Sequence, residues 1–180
     1  MDNITVQDGT RFTSLGTSWN GTAHKVNFQG DSYEYNCFTV SNGAITKYPS
    51  YCSATVDLSS GVIQGQTITS IGNSAFKGSG VNNIKLGNSI TSIGTSAFEN
   101  NNILTLDFGN SVTSVGAKAF YNTGLVDILI PRSVTSIGDN AFASNPNLAS
   151  ITIMGKTNLS GFTSLGTSWN GTCTNIVYSN

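Results

Sequence analysis

The sequence predicts a β-rich solenoid of short strands that are joined by short turns or helical segments. The first observation behind this prediction is a motif that begins at residues 68, 90, 112 and 134, a spacing of 22 residues. The second is an alternating apolar triplet that follows each copy of the motif. The third is the composition, because only 9% of the 180 residues are charged while 38% are hydrophobic. A strict short period of this kind indicates stacked units that pack only on their neighbours.

The repeated motif predicts a turn around a buried aromatic ring. Its first copy reads Ile-Thr-Ser-Ile-Gly-Asn-Ser-Ala-Phe and ends at Phe76. The glycine marks a tight turn, the alanine allows close approach, and the phenylalanine fills the interior. Because stacked strands lie about 4.8 Å apart, we expect one continuous column of rings from four turns: Phe76, Phe98, Phe120 and Phe142.

The apolar triplets predict short strands whose outer two side chains point inward. They are Ile84-Lys85-Leu86, Leu106-Asp107-Phe108, Ile128-Leu129-Ile130 and Ile151-Thr152-Ile153. The outward positions differ from turn to turn and form the candidate binding face: Asn83, Lys85, Thr105, Asp107, Asp127, Leu129, Ser150 and Thr152. Asp107 and Asp127 are either diagonal neighbours that could hold a cation or ordinary solvated carboxylates. Leu129 is either a contact residue or an ordinary exposed apolar side chain.

The same residues carry a resemblance to a known family. The pattern aliphatic-x-aliphatic-Pro-x-Ser-Val-Thr-Ser-Ile-Gly-x-x-Ala-Phe resembles the BspA-like type of leucine-rich repeat, and Ile128 to Phe142 matches it almost throughout. The resemblance covers residues 67–153, which we expect to hold four repeats. It implies a leucine-rich-repeat solenoid with a parallel sheet on one face and short turns or helical segments on the other. It also implies display on microbial cell surfaces, often in adhesion, without a shared catalytic site. This chain departs from the pattern in having proline only at Pro131, with Gly87 and Gly109 at the matching positions.

A second, longer duplication frames the chain. The segment from Phe12 to Thr22 returns unchanged from Phe162 to Thr172. Each copy keeps Thr-Ser-aliphatic-Gly but has Trp19 or Trp169 in place of Ala-Phe, and tryptophan covers much apolar area at the end of a stack. We therefore expect a degenerate repeat over residues 1–31 that resembles the end of a preceding block, and a capping repeat over 154–180. Trp19 and Trp169 are candidate cap or junction residues.

The opening segment, residues 32–66, carries the signals of a β-hairpin. Two strand-like stretches, 33–40 and 44–49, flank Ser-Asn-Gly, which favours a tight turn. The stretch 37–52 has a looser similarity to the opening of repeat proteins with pilin-like leaders. Cys37 and Cys52 bracket the hairpin, and an exported protein favours a disulfide between them over two reduced core cysteines. Cys173 is left as an inert, partly buried thiol or as a site of intermolecular bonding.

Charge and residue types argue against several functional classes. A net charge of −1 gives no electrostatic footprint for nucleic acid, and the longest apolar runs are too short for membrane insertion. His24 is the single histidine and is absent from the second copy of its segment, so we expect no catalytic residue. The cysteines lack zinc-type spacing, and the glycines follow the repeat rather than a phosphate-binding loop. We expect no metal site and no cofactor.

These observations predict a non-enzymatic structural or adhesive repeat module of a microbial surface protein or filament. Copies of the block could stack head to tail, since the end of a solenoid offers a strand edge and an apolar cross-section. The alternative is a specific binding module for a host protein or a glycan, with the outward strand face carrying the affinity. No signal peptide is visible at the amino terminus, so the chain is expected to be either cytosolic or a mature or trimmed fragment. The family resemblance favours an extracellular, cell-surface location.

Overall fold

The computed structural model describes residues 3–6, 25–28, 31–34 and 37–179. The chain divides into two compact units, Met1–Cys37 and Phe38–Asn180. The strands described in the first unit are β1 (Asn3–Val6), β2 (Lys25–Phe28) and β3 (Asp31–Glu34). β1 pairs with β2 in parallel, and β3 folds back antiparallel to β2. The first unit therefore contains one parallel strand pair that is extended by an antiparallel strand.

The second unit consists almost entirely of short strands joined by tight turns. In chain order they are β4 (Thr39–Ser41), β5 (Ala44–Lys47), β6 (Thr55–Asp57), β7 (Val62–Ile63), β8 (Gln66–Thr67), β9 (Ser70–Ile71), β10 (Asn83–Lys85), β11 (Ser92–Ile93), β12 (Thr105–Asp107), β13 (Ser114–Val115), β14 (Asp127–Ile130), β15 (Ser136–Ile137), β16 (Ser150–Met154), β17 (Ser164–Leu165) and β18 (Ile176–Ser179). One short 3-10 turn covers Leu159–Gly161. No helix within the described residues has the length and apolar character needed to cross a bilayer.

A seven-stranded sheet runs along one side of this unit, and we call it the continuous ladder. Its strand order is β4, β5, β9, β11, β13, β15, β17. The strands from β5 to β17 are parallel, while β4 joins β5 as an antiparallel hairpin. Each parallel rung pairs identical positions of the motif, as in Ser92 with Ser114 and Ile93 with Val115. The aliphatic member of each rung from β5 to β15 is buried because it faces the stacked rings.

The apolar triplets form a second series of parallel strands, which we call the interrupted ladder. It consists of two three-stranded sheets, one made of β6, β10 and β12 and the other of β14, β16 and β18. Within residues 37–179 no strand pairing joins β12 to β14. Leu86 N–H donates to Asp107 C=O at 2.9 Å, but the corresponding bond from Phe108 to Leu129 is missing across this break. The β-rich leucine-rich-repeat solenoid predicted from the sequence is confirmed, with parallel ladders on two sides.

The predicted column of phenylalanine rings forms the centre of the core. The four rings are fully buried, and successive centroids lie 4.9, 5.2 and 5.4 Å apart. Tyr48 extends the column at one end, 4.9 Å from Phe76, and Phe38 lies 5.0 Å beyond it. Burial raises the pKa of the Tyr48 hydroxyl, which donates to Ser53 C=O at 2.9 Å. The column therefore extends from the opening hairpin through all four repeats.

The glycine of each motif is required by the close stacking of turns. A Cβ atom added to Gly116 would lie 2.6 Å from the carbonyl carbon of Gly94, one turn earlier. Real Cβ atoms essentially never approach backbone this closely. Gly116 N–H meanwhile donates to Ile93 C=O at 2.8 Å. The backbone can make this bond to the preceding turn only because the position has no side chain.

A column of buried polar side chains lies three residues after each phenylalanine, and we call it the amide column. Its members alternate between a small hydroxyl residue and asparagine: Ser79, Asn101, Thr123 and Asn145. The Nδ2 group of Asn101 donates to the carbonyls of Phe76 and Phe98, at 2.8 and 2.7 Å. Its Oδ1 accepts from Gly80 N–H at 2.8 Å. The amide therefore satisfies the turn backbone of two successive repeats, as buried polar groups require.

Candidate binding face

The eight residues predicted to face outward all have side chains that are exposed or partly exposed. The register places Asn83 beside Thr105 and Lys85 beside Asp107 on the first sheet of the interrupted ladder. On the second sheet Asp127 lies beside Ser150, and Leu129 beside Thr152. The eight residues therefore lie as two groups of four on two sheets rather than on one unbroken surface, and their use as a binding face stays a prediction.

The first group is polar and internally hydrogen-bonded. Thr105 Oγ1 donates to Asn83 Oδ1 at 2.7 Å, and the register places Lys85 between Asp57 and Asp107 on neighbouring strands. Hydrogen bonds from Ser59 lower the pKa of Asp57, and Lys85 lowers it further through its charge. On these three strands one cation therefore lies between two carboxylates.

The two carboxylates considered for a cation site are each engaged locally. Asp107 Oδ1 accepts from Gly109 N–H at 2.8 Å, and Asp127 Oδ1 accepts from Ser150 Oγ at 2.6 Å. They also lie on opposite sides of the break between β12 and β14. Among the residues described, no three histidine, cysteine, aspartate or glutamate side chains form a metal-binding group. The arrangement therefore gives no support to the cation site.

Three exposed aliphatic side chains lie on or directly before the two strands that flank the break, and we call them the apolar patch: Leu104, Val126 and Leu129. Their side chains are 66%, 52% and 55% exposed, respectively. Leu104 and Val126 occupy the same position in successive turns, on either side of the break, where the flanking turns carry Asn82 and Ala149. Sequence reasoning singled out Leu129 alone. The departure from Asn82 and Ala149 at this position is the signal that identifies the other two.

The carboxyl-terminal end of the solenoid holds the second tryptophan and the third cysteine. Trp169 is buried, with its ring 6.4 Å from Phe142 and 6.5 Å from Phe162. It therefore terminates the aromatic column within its own chain. Cys173 is a buried free thiol, and it occupies the next position of the amide column, where alternation calls for a small polar residue. Trp19 and His24 lie outside the described residues.

The structure contains one disulfide, formed by Cys37 and Cys52. Both are disulfide-bonded, while Cys173, the third cysteine of the chain, is free. The bond flanks the hairpin of β4 and β5, which turns at Asn42 and Gly43 with φ values of 50° and 74°. It therefore fastens the strand that begins the continuous ladder. A disulfide is typical of extracellular proteins.

A buried lysine near the same end was not found from the sequence. Lys156 Nζ donates to the carbonyls of Arg132 and Val134 at 3.0 and 2.8 Å, and it lies 4.7 Å from the ring centroid of Phe162. Burial lowers the pKa of this ammonium. Its contacts hold a longer connection against the preceding turn. The sequence signal is the spacing from Val134 to Phe162, which exceeds the usual repeat length by six residues.

Comparison with known proteins agrees with this architecture. The family profile of the BspA type leucine-rich repeat region matches residues 46–176 in six copies. The chain is similar to the crystal structure of a T. pallidum leucine-rich repeat protein, with 20% identity, 79% of this chain and 82% of that chain covered, and a TM-score of 0.44. No curated protein matches the chain.

The family is a coarse guide to function. Its members are typically surface repeat proteins, and its repeats are generally non-enzymatic modules that mediate protein interactions. The profile matches well over half of the chain, including the stretches outside the four regular repeats. The protein belongs to the BspA-type leucine-rich repeat family.

Proposed function

We propose that this chain is a non-enzymatic extracellular module that gives a microbial surface protein or filament its structural, adhesive part. The observation that carries the proposal is the unbroken column of rings from Phe38 to Trp169, alongside a ladder of seven strands. Each of the four regular turns places a phenylalanine and an aliphatic residue inside, so the stack has nearest-neighbour stability along these turns. A surface protein needs such a stiff spacer to hold a contact face away from the cell.

The extracellular location is supported by the disulfide of Cys37 and Cys52 and by the family. The test is to treat intact producing cells with a protease that cannot enter them and to alkylate the purified protein without reduction. We expect the protease to remove the protein from the surface of intact cells. After unfolding without reduction, we expect alkylation only at Cys173. A protein that is protected in intact cells and has both Cys37 and Cys52 free would overturn the extracellular assignment.

Head-to-tail stacking of copies is the filament form of this proposal. Its support is the duplication of the Trp-bearing segment, which places equivalent sequences at Trp19 and Trp169. A contact that does not close on itself generates fibres, and the low charge reduces repulsion between copies. We expect end-to-end particles in negative-stain images. We also expect the apparent molecular mass from light scattering to rise with concentration. Particles that stay monomeric at high concentration would refute stacking.

A second candidate function is specific binding of a host protein or glycan by the interrupted ladder, and the apolar patch favours it. Clusters of exposed apolar groups on a monomer often mark interaction sites, and these three side chains lie on or directly before the strands that flank the break. Beads coated with the protein should bind immobilised extracellular-matrix proteins or a glycan array, and Leu129→Lys should reduce that binding at least about ten-fold. Val62→Lys is the matched control, since Val62 is 51% exposed in the β7–β8 hairpin. Equal loss in both variants would argue against the face.

A further inference from the structure

The chain contains the same parallel strand pair twice. The identical segments from Phe12 to Thr22 and from Phe162 to Thr172 are each followed by a strand, β2 and β18. In the first copy β1 pairs with β2 so that Ile4 lies beside Val26, Thr5 beside Asn27 and Val6 beside Phe28.

The second copy has the equivalent register. β16 pairs with β18 so that Ile151 lies beside Ile176, Thr152 beside Val177 and Ile153 beside Tyr178. Counting from the identical segments, Val26 corresponds to Ile176 and Phe28 to Tyr178. β2 and β18 therefore have equivalent positions in the two copies of the duplicated segment, both in sequence and in parallel pairing.

The two copies differ on the other side of this strand. β2 carries an antiparallel neighbour, β3, with Tyr33 beside Val26 and Asp31 beside Phe28. Among the residues that the structure describes, β18 is the terminal strand of its sheet. An exposed strand edge presents a row of backbone donors and acceptors, which makes it a template for pairing.

The existing bonds identify which groups of β18 face this free edge. Ile151 N–H donates to Asn175 C=O at 3.0 Å, and Gly155 N–H donates to Ser179 C=O at 2.6 Å. Backbone groups alternate in direction along a strand, so Asn175, Val177 and Ser179 point toward β16. Ile176 and Tyr178 therefore direct their N–H and C=O groups away from β16.

Their counterparts in β2, Val26 and Phe28, are the residues that lie beside β3 residues Tyr33 and Asp31.

We infer that the free edge of β18 is an acceptor site for an antiparallel strand, and that its occupant is a second copy of the segment 29–36, which contains β3. In the bound state the copy of Tyr33 lies beside Ile176 and the copy of Asp31 beside Tyr178. Main-chain bonds supply the affinity, as in other strand-addition contacts. The site goes beyond the proposed function, since strand addition requires neither adhesion nor a filament. It also predicts an antiparallel joint between successive blocks rather than one more parallel rung.

The test supplies the occupant in cis, where the effective concentration is high. A variant replaces residues 179–180 with a copy of residues 29–36, so that the copied segment follows Tyr178 as the original follows Phe28. Amide hydrogen exchange is then measured by NMR at Tyr178, with Val177, which already faces β16, as the internal reference. We expect exchange at Tyr178 to slow by about ten-fold or more, with Val177 little changed.

The matched control carries the same extension with Tyr33→Pro in the appended copy only. Proline removes the backbone donor that the pairing needs, so exchange at Tyr178 should return to the rate of the parent chain. The inference is overturned if the extension leaves Tyr178 unprotected, or if the proline variant protects it equally. Neither result depends on cell-surface location or on adhesion, so failure here is distinguishable from failure of the proposed function.

Discussion

The continuous and interrupted ladders are made by the same turns, yet they differ in what each turn contributes. In the continuous ladder every repeat supplies serine and an aliphatic residue, and the rungs pair without a gap from β5 to β17. In the interrupted ladder the outward residues change from turn to turn, and pairing stops between β12 and β14. The side with the repeated residues is also the side with unbroken hydrogen bonding.

This difference indicates how the stack tolerates variation on one side. The rings and the continuous ladder hold neighbouring turns together even where a rung of the other ladder is missing. The outward residues of the interrupted ladder can therefore differ from turn to turn while the turns stay stacked. Leu104 and Val126, which flank the break, illustrate the result as large aliphatic side chains left in solvent.

The largest expected effect comes from removing a ring beside the continuous ladder. Phe98→Ala or Phe120→Ala should lower the free energy of unfolding by about 3–5 kcal/mol, because each leaves a cavity in a fully buried site. Denaturant unfolding followed by circular dichroism measures this loss. Leu104→Ala, on the exposed patch, is the control and should change stability by less than about 0.5 kcal/mol. Equal losses of stability for Phe98→Ala and Leu104→Ala would contradict the distinction between the buried column of rings and the exposed patch.

The amide column, which follows each ring along the chain, should give the next largest effect. Asn145 Nδ2 donates to the carbonyls of Phe120 and Phe142 at 2.9 and 2.8 Å, and its Oδ1 accepts from Thr123 N–H at 2.8 Å. Asn145→Ala leaves these buried groups unpaired, so we expect a loss of about 3 kcal/mol in chemical denaturation. Asn110→Ala, at an exposed turn position, should be nearly neutral. A neutral Asn145→Ala would show that the column does not couple the turns.

The break itself can be tested without substitution. Leu86 and Phe108 occupy the same position in successive turns and both side chains are buried, but only Leu86 N–H donates to the next strand. We expect the amide of Phe108 to exchange with solvent at least about ten-fold faster than that of Leu86. NMR or mass-spectrometric exchange would measure the ratio. Similar protection at both amides would mean that the second ladder is continuous in solution.

The smallest expected effect concerns a carboxylate that links two turns of the continuous side. Asp139 Oδ1 accepts from Thr167 Oγ1 at 2.9 Å and from the Thr167 N–H, and these bonds lower the pKa of Asp139 below 3.8. A lowered pKa stabilises the fold at pH values above 3.8, and this contribution is lost as pH falls through the folded-state pKa.

The equivalent residue in an earlier turn provides a matched comparison. Asn73 Oδ1 accepts from Thr95 N–H at 2.8 Å, so Asp139→Asn keeps an acceptor and removes the charge. We expect a slightly lower melting temperature for Asp139→Asn near pH 6 and no difference from the parent near pH 2. Asn73→Asp should have the opposite effect, a slightly higher melting temperature than the parent near pH 6. A difference at Asp139 that does not vary with pH would contradict the assignment.

The regular repeats could be predicted because a few residue types recur at a fixed spacing. The four phenylalanines lie where the period places them. The family profile extends the repeat region to residues 46–176, and Tyr48 and Trp169 continue the column in altered form. The break between β12 and β14 could not be predicted, since Leu106 and Ile128 head similar triplets. The side-chain pattern of a short strand does not by itself determine whether it pairs, because strand preference depends on the packing context of each position.

The candidate face was predicted only in part for a related reason. Alternation along a strand identifies which side chains point outward, so residues such as Lys85 and Leu129 could be named. It does not reveal where a sheet ends, and it does not cover Leu104 and Val126, which precede the strands. Lys156 was missed because burial of a lysine depends on carbonyls supplied by another turn, here those of Arg132 and Val134.

The alternation within the amide column has a consequence for how the gene can change. Recombination between repeats commonly adds or deletes whole units of a tandem array. Deletion of the single unit that carries Thr123 would place Asn101 directly beside Asn145, and Asn145 Oδ1 would lose the Thr123 hydroxyl that donates to it at 3.1 Å. Deletion of two adjacent units preserves the order of hydroxyl and amide. Viable length variants of this array should therefore differ by even numbers of repeats.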